Sequence, residues 1–335
     1  MKRTLPTLLV AVTLAACGGG GGGSDGGTAT DSGTSGTTGG TTDGGTSSSS
    51  GSTNGGLPST VNVTIASVGV HPAAVAALSA KGIRPPSFIG YDVVLQGVSL
   101  GATGAVITTL DAQSITAANQ NQPFVFNNVP VGEITDAGIP CCSLGLISAL
   151  VPPPLPDGGS ATGTLTWPAD CSALDGGTVD GGYSWDTFIT AGSQIHFERP
   201  SVDVTGGASF ALPMSYVTML DCAAGQKPGT LYNSGGSSPS GFALLSASQS
   251  AAGQGSAIAG VSFTASSLSP VYYAADYSST ASAQTTANGV ATITGAPSNI
   301  ATATASGGPG NFPSRELSTP PDSAYQVFYC PNCAQ

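Results

Sequence analysis

The feature that most constrains this chain is a short pattern that keeps restarting. Apolar and polar residues alternate over a few positions, then Gly, Pro, Asn or Ser interrupts. TVNVTIASV (60–68), GYDVVLQGV (90–98), AVITTLD (105–111) and PFVFNNV (123–129) carry it early. TGTLTW (162–167), WDTFIT (185–190), QIHFE (194–198), SFALPMSYVTML (209–220) and GFALLSAS (241–248) carry it through the middle. AIAGVSFTAS (257–266), PVYYAADYS (270–278), GVATITG (289–295), IATATAS (300–306) and YQVFYC (325–330) carry it to the end. A period of two sends successive side chains to opposite faces of a strand. Many short strands between turn residues predict antiparallel sandwiches. Only PAAVAALSAKG (72–82) and SLGLISALV (143–151) have the length and composition of a helix. The expected fold is mainly β, with tandem antiparallel β-sandwich domains after a disordered N-terminal tether.

Such sandwiches would present an almost uncharged surface. Only 7% of residues are charged, against about 25% in ordinary soluble domains, so Ser, Thr, Asn and Gly must supply the solubility. Beyond Lys2 and Arg3 the basic residues are Lys81, Arg84, Arg199, Lys227 and Arg315, against 18 acids, a formal net charge of −13. With no basic patch to neutralise phosphates, nucleic acid is excluded as a partner. The same poverty argues against electrostatic docking on anionic lipid.

The first residues supply a different membrane attachment. Lys2 and Arg3 precede the apolar run LPTLLVAVTLAA (5–16), too short to span a bilayer and matched to an export signal. LAAC (Leu14, Ala15, Ala16, Cys17) closes the run and resembles the lipobox of bacterial lipoproteins. That resemblance implies cleavage before Cys17, acylation of its sulfur, palmitate included, and attachment to a membrane. Gly18 after the cysteine implies the outer membrane or cell surface. Residues 18–56 are almost entirely Gly, Ser, Thr, Asp and Asn and cannot bury enough apolar area to offset their ordering entropy. As a flexible tether they reach on the order of 35 Å. The divisions expected are a lipoprotein signal peptide (1–16), a tether (17–56), a β-sandwich domain (57–150), a disulfide-stapled β region (151–239) and a final sandwich with a C-terminal tail (240–335). The Pro-rich VPPPLPDGGS (151–160) reads as the connection between the first two folded parts.

Six further cysteines, Cys141, Cys142, Cys171, Cys222, Cys330 and Cys333, read as disulfides in an exported chain. Adjacent Cys141 and Cys142 are poorly placed to bond each other, so Cys171 and Cys222 are their expected partners. CPNC (330–333) has C-x-x-C spacing but ends a chain of strands, whereas a redox thiolate draws on a helix N-terminus; a structural disulfide is the expectation. A zinc site from Cys141, Cys142, Cys330 and Cys333 is the competing use of the same thiols.

Other catalytic signals are thin. His71, before the first helix, reads as a turn residue, and His196 alternates with Ile195 and Phe197 on a strand. No G-x-S-x-G elbow accompanies them. Glu133 with Asp136, and Glu198 with Asp203, are the carboxylate pairs close enough in sequence to consider for glycoside hydrolysis. Asp175 and Asp180 in DGGTVDGGY match no calcium-loop spacing. No metal or other cofactor is called for. Tyr272, Tyr273, Tyr277 and Trp185 are the aromatics available for a glycan or protein contact if they face outward.

Residues 240–308 carry one further resemblance. Gly260-Val261 in the AGV strand, Asn288-Gly289 in a T-x-x-N-G turn and Ala296-Pro297 before the last strand resemble the carboxypeptidase regulatory-like domain, a transthyretin-like sandwich. Asn-Gly suits a tight turn. NNVPVGEI (127–134), with Val131 between Pro130 and Gly132, echoes the family's Pro-Gly pattern and suggests a second sandwich near 57–140. The resemblance implies a non-catalytic module. The functional expectation is a lipid-anchored envelope protein with a binding, adhesion or structural role, its partners the membrane through Cys17 and a glycan or envelope protein. The alternative is a secreted hydrolase or a thiol-disulfide oxidoreductase using Cys330 and Cys333.

Overall fold

The computed structural model describes residues 58–80, 87–101, 104–134, 139–143, 145–153, 167–174, 188–189, 191–196, 199–233, 240–250, 255–265, 268–294, 301–317 and 324–331. Residues 1–57, on which the expected signal peptide, Cys17 and the expected tether fall, lie outside them. The described residues are mainly β, as the alternation predicts, with only two α-helices.

Nine strands form one sheet. Its spatial order is β14 (Thr280–Ala281), β13 (Val271–Tyr273), β15 (Val290–Thr294), β11 (Phe242–Ala247), β18 (Ala324–Tyr329), β9 (Ala191–His196), β7 (Gly145–Val151), β2 (Asp92–Gly101) and β3 (Gly104–Ser114). This sheet draws strands from each of the three ranges 57–150, 151–239 and 240–335. Its two halves meet where β18 runs parallel to β9, Ala324 to Gln326 beside Ala191 to Ser193. The pairing is therefore mixed rather than purely antiparallel, since β11 and β18 are also parallel.

Two smaller sheets cover it. β4 (Phe124–Pro130), β1 (Thr60–Val70), β10 (Val204–Pro213) and β8 (Phe188–Ile189) form one. In β1 the alternation works as expected: Val61, Val63 and Ile65 point inward and pack with Val93, Leu95 and Phe126. β12 (Val261–Ala265), β16 (Ala301–Gly307) and β17 (Arg315–Leu317) form the other. Val261, Phe263 and Ala303 from it bury against Ala243, Leu245, Ile293, Val327 and Tyr329, a sandwich within the C-terminal part. A two-residue hairpin, β5 (Glu133–Ile134) with β6 (Ile139–Pro140), completes the set.

The face of β11 opposite that sandwich is covered by α1 (Pro72–Ser79) and α2 (Met214–Ala223). Phe242 and Leu244 on that face join Leu78, Tyr216, Val217 and Leu220 in a second core. Each fully buried side chain of this size contributes about 1.5–3 kcal/mol.

Two expected elements change type. SLGLISALV is strand β7, not a helix: it sits between β2 and β9, buried from Gly145 to Leu150. A short apolar run buried on both sides has no periodicity to separate strand from helix. Conversely, SFALPMSYVTML is strand only as far as Pro213, and Met214 to Ala223 is helical. Pro213 lacks the N–H that a continuing ladder needs, and the segment beyond it is buried from Met214 through Asp221.

The disulfides also differ from expectation. Cys171 bonds Cys222, fastening a single 3-10 turn (Cys171–Leu174) to the end of α2. Cys141 bonds its neighbour Cys142, although the adjacent pair was expected to reach Cys171 and Cys222. The local backbone makes this possible: Cys142 takes a φ of 67°, and both sulfurs settle over Gly97 of β2, where no side chain stands. The Cys142 N–H donates to Ser99 Oγ at 2.7 Å and the Cys141 N–H to the Gly132 carbonyl at 2.6 Å.

A Cβ at Gly97 would lie 2.6 and 2.8 Å from the two sulfurs. Gly97→Ala is expected to cost about 1–3 kcal/mol through overpacking. Gly69→Ala on β1, where a Cβ meets nothing within 4 Å, should cost nothing. Urea unfolding of the two variants checks this, and equal midpoints would remove Gly97 as the seat of the pair.

Candidate functional site

The site begins with the composition of α1. Its alanines 73, 76, 77 and 80 recur at helical spacing on one side, too small to fill the space they face. What remains is a cavity of about 600 Å³, closed at its floor by His71, Ser246 and Phe328 and at its rim by Asp276, Tyr277 and Asn288.

The floor is set by strand alternation and a helix cap. Ser246 shares the helix-facing side of β11 with Phe242 and Leu244, and so meets His71 across the core. His71 is the N-cap of α1, with Pro72 following. Its Nδ1 accepts the Ala73 N–H at 3.2 Å, and its Nε2 lies 3.0 Å from Ser246 Oγ. Because a backbone N–H can only donate, Nδ1 carries the lone pair and Nε2 carries the hydrogen. His71 therefore donates to Ser246 rather than accepting its proton, the reverse of a serine-activating base. The ring stacks on Phe328 at 5.4 Å and meets the edge of Phe210 at 6.0 Å. Burial without a charged partner lowers its pKa from 6.5 to about 3, which keeps the floor neutral. The expected turn role of His71 becomes a capping role.

The rim holds one carboxylate. Asp276 is exposed, and its Oδ1 accepts the Ser278 N–H at 3.0 Å and the Ser278 hydroxyl at 2.7 Å. Those bonds are what hold its pKa below the usual carboxylate range. Tyr277, at a φ of 58°, turns inward so that its hydroxyl lies 3.1 Å from that of Tyr216. Burial pushes its pKa up to about 12.

A second titrating group sits behind the same core. Asp221 interrupts the apolar run of α2 and is wholly buried. Its Oδ2 accepts the Gly229 and Thr230 N–H groups at 2.8 and 3.2 Å, and its Oδ1 accepts that of Leu231 at 2.9 Å. Desolvation nonetheless wins over these bonds, raising its pKa from 3.8 to about 6. It clasps the turn after α2, beside the Cys171–Cys222 bond. A lone acid within an apolar run was the sequence signal for it. Ser246 and Asp276 carried no such mark.

The residues singled out from sequence fare unevenly. Tyr272, Tyr273 and Tyr277 are buried, so none offers a surface for a glycan; Tyr272 instead bonds the Phe263 backbone. Trp185, Asp136, Asp175, Asp180, Glu198 and Cys333 lie outside the described residues. Asp203 is engaged by the Asn62 N–H and side-chain amide at 2.7 and 3.0 Å. His196 ends β9 opposite Leu146, with β18 standing between that strand and β11. Cys330 is fully buried and disulfide-bonded. With Cys141 and Cys142 bonded to each other, the thiolates of a Cys₄ zinc site are not available. Among the described residues no cluster of three or more His, Cys, Asp or Glu could hold a metal.

Comparison with protein-family models and with curated proteins finds no match. Among solved structures the chain is similar to the shaft pilin SpaA from Lactobacillus rhamnosus GG, at 11% identity over 82% of this chain and 99% of that one, with a TM-score of 0.20. A double mutant of the same pilin aligns over the same shares at 11% identity and a TM-score of 0.20. A likeness this weak fixes neither fold nor role.

The two buried titrating groups tilt stability in opposite directions. Stability that Asp221 lends in its protonated form is fully present below the unfolded value of 3.8 and lost as pH rises through about 6. His71 must be neutral to fold, so its contribution is present above 6.5 and lost as pH falls toward 3. Asp221→Asn should therefore make the protein less stable at pH 4 than wild type relative to pH 7. His71→Asn, which retains a capping side chain, should soften the acid loss. Urea midpoints across this range read both slopes.

Proposed function

We propose that this chain is an exported, lipid-anchored envelope protein whose β body serves a non-catalytic binding or structural role. One observation carries the reading: LAAC closes a short apolar export segment and directly precedes a long tract of Gly, Ser and Thr. A single acyl chain holds a protein only marginally, so a multiply acylated Cys17 is the anchor the reading requires. The tract keeps the folded part clear of the headgroups. The Cys171–Cys222 bond supports an oxidising compartment.

The non-catalytic part of the proposal is supported by the state of the residues best suited to catalysis. His71 is held as a hydrogen-bond donor toward Ser246, and Cys330 is buried within the fold. The C-terminal module proposed as carboxypeptidase regulatory-like is supported by the sandwich of β12 and β16 over β11 and β15. Its T-x-x-N-G turn is held by the Asn288 side chain, which donates to the Ala274 carbonyl at 2.9 Å.

Intact mass measurement of the mature protein, isolated from its native membrane, should show Cys17 as the first residue with its acyl chains. Cys17→Ser should shift the protein out of the membrane fraction with its fold unchanged. A mature protein that starts elsewhere, or a Cys17→Ser variant that stays membrane-bound, would remove the anchor.

A further inference from the structure

We propose that the cavity bounded by α1 binds a small organic cation, an ammonium group carrying an apolar ring or short chain. The inference goes beyond the envelope reading and does not depend on acylation of Cys17.

Size and walls come first. A volume of about 600 Å³ falls within the range of small-molecule sites, which are mostly apolar with a few fixed polar groups. Here the wall is the alanine side of α1 with Met219 and Val290, an apolar surface against which an apolar body loses water. Tyr277 and Phe328 line the same space and extend its apolar lining.

Charge then selects among apolar ligands. Among the described residues Asp276 is the only acidic, lysine or arginine side chain lining the cavity, and His71, the only other titrating group there besides the buried Tyr277, is neutral at physiological pH. The carboxylate is held in place at the rim by both Ser278 bonds to Oδ1, which leaves lone pairs for a ligand. A neutral floor with a single negative rim favours a molecule that is apolar at one end and cationic at the other. The strongly negative chain adds a long-range pull of the same sign. An anionic ligand of the same shape meets the Asp276 carboxylate at like charge.

Calorimetric titration of the full-length protein in non-ionic detergent with benzylamine, benzyl alcohol and benzoate tests this. Benzylamine should bind at millimolar concentration, about two- to fivefold more tightly than benzyl alcohol, the range of an exposed ion pair, and benzoate should not bind. Asp276→Asn should bring the amine and the alcohol level. Ala76→Phe, placed on an exposed position of α1 at the cavity, should abolish both while leaving the unfolding midpoint in place. Benzyl alcohol binding as tightly as the amine would overturn the cationic specificity. Absence of binding by all three, or amine binding unchanged in Ala76→Phe, would overturn the site.

Discussion

The structure depends on a short parallel pairing. Three residues of β18 beside three of β9 are the backbone ladder that makes one nine-stranded sheet from strands near the two ends of the folded chain. A ladder so short would not hold by itself, and β10 lies across it. Gln326 of β18 donates through Nε2 to the Phe210 carbonyl at 2.6 Å, and Ser193 Oγ of β9 accepts the Phe210 N–H at 3.0 Å. One strand over, Ser148 Oγ donates to the Ala208 carbonyl at 2.7 Å. Buried side-chain amides and hydroxyls thus satisfy the backbone of a strand that crosses the sheet instead of pairing with it. A buried polar group left unmade costs about 1–3 kcal/mol, so these contacts fix where β10 crosses.

That crossing places the cavity. β10 leads through Pro213 into α2, and the β1 strand beside it leads through His71 into α1. Both helices therefore start from neighbouring parallel strands and land on the same face of β11. His71 Nε2 reaching Ser246 is the bond that joins the helix start to the sheet beneath it. The alanines of α1 then leave open space where larger side chains would have packed. The floor is rigid because its members are caps and core residues, and the rim is shaped by turns.

Most strands were legible because alternation is a local property: β1, β2, β3 and β4 lie where the pattern puts them. The failures share one physical cause. β7 and α2 are buried on every side, and an element with no solvent face carries no amphipathic record of its period. The β9 to β18 ladder was illegible for a related reason, since it joins segments that are remote in sequence and have no local signature. The adjacent-cysteine bond was misjudged because its permission comes from Gly97, a residue more than forty positions away whose missing side chain makes room.

The site shows the same division between local and non-local information. The helix start at His71-Pro72 is written in the sequence, and Pro at the first helical position is a standard signal. That His71 would face Ser246 rather than solvent is decided by the register of β11 against β18 and β15. The protonation pattern of His71 follows only once that partner and the Ala73 N–H are both in place. A histidine beside a serine invites a catalytic reading, and the geometry reverses it: the group that would need to accept a proton is already donating one. Polar residues at the floor of a cavity thus serve the fold first, and recognition is left to the single carboxylate at its rim.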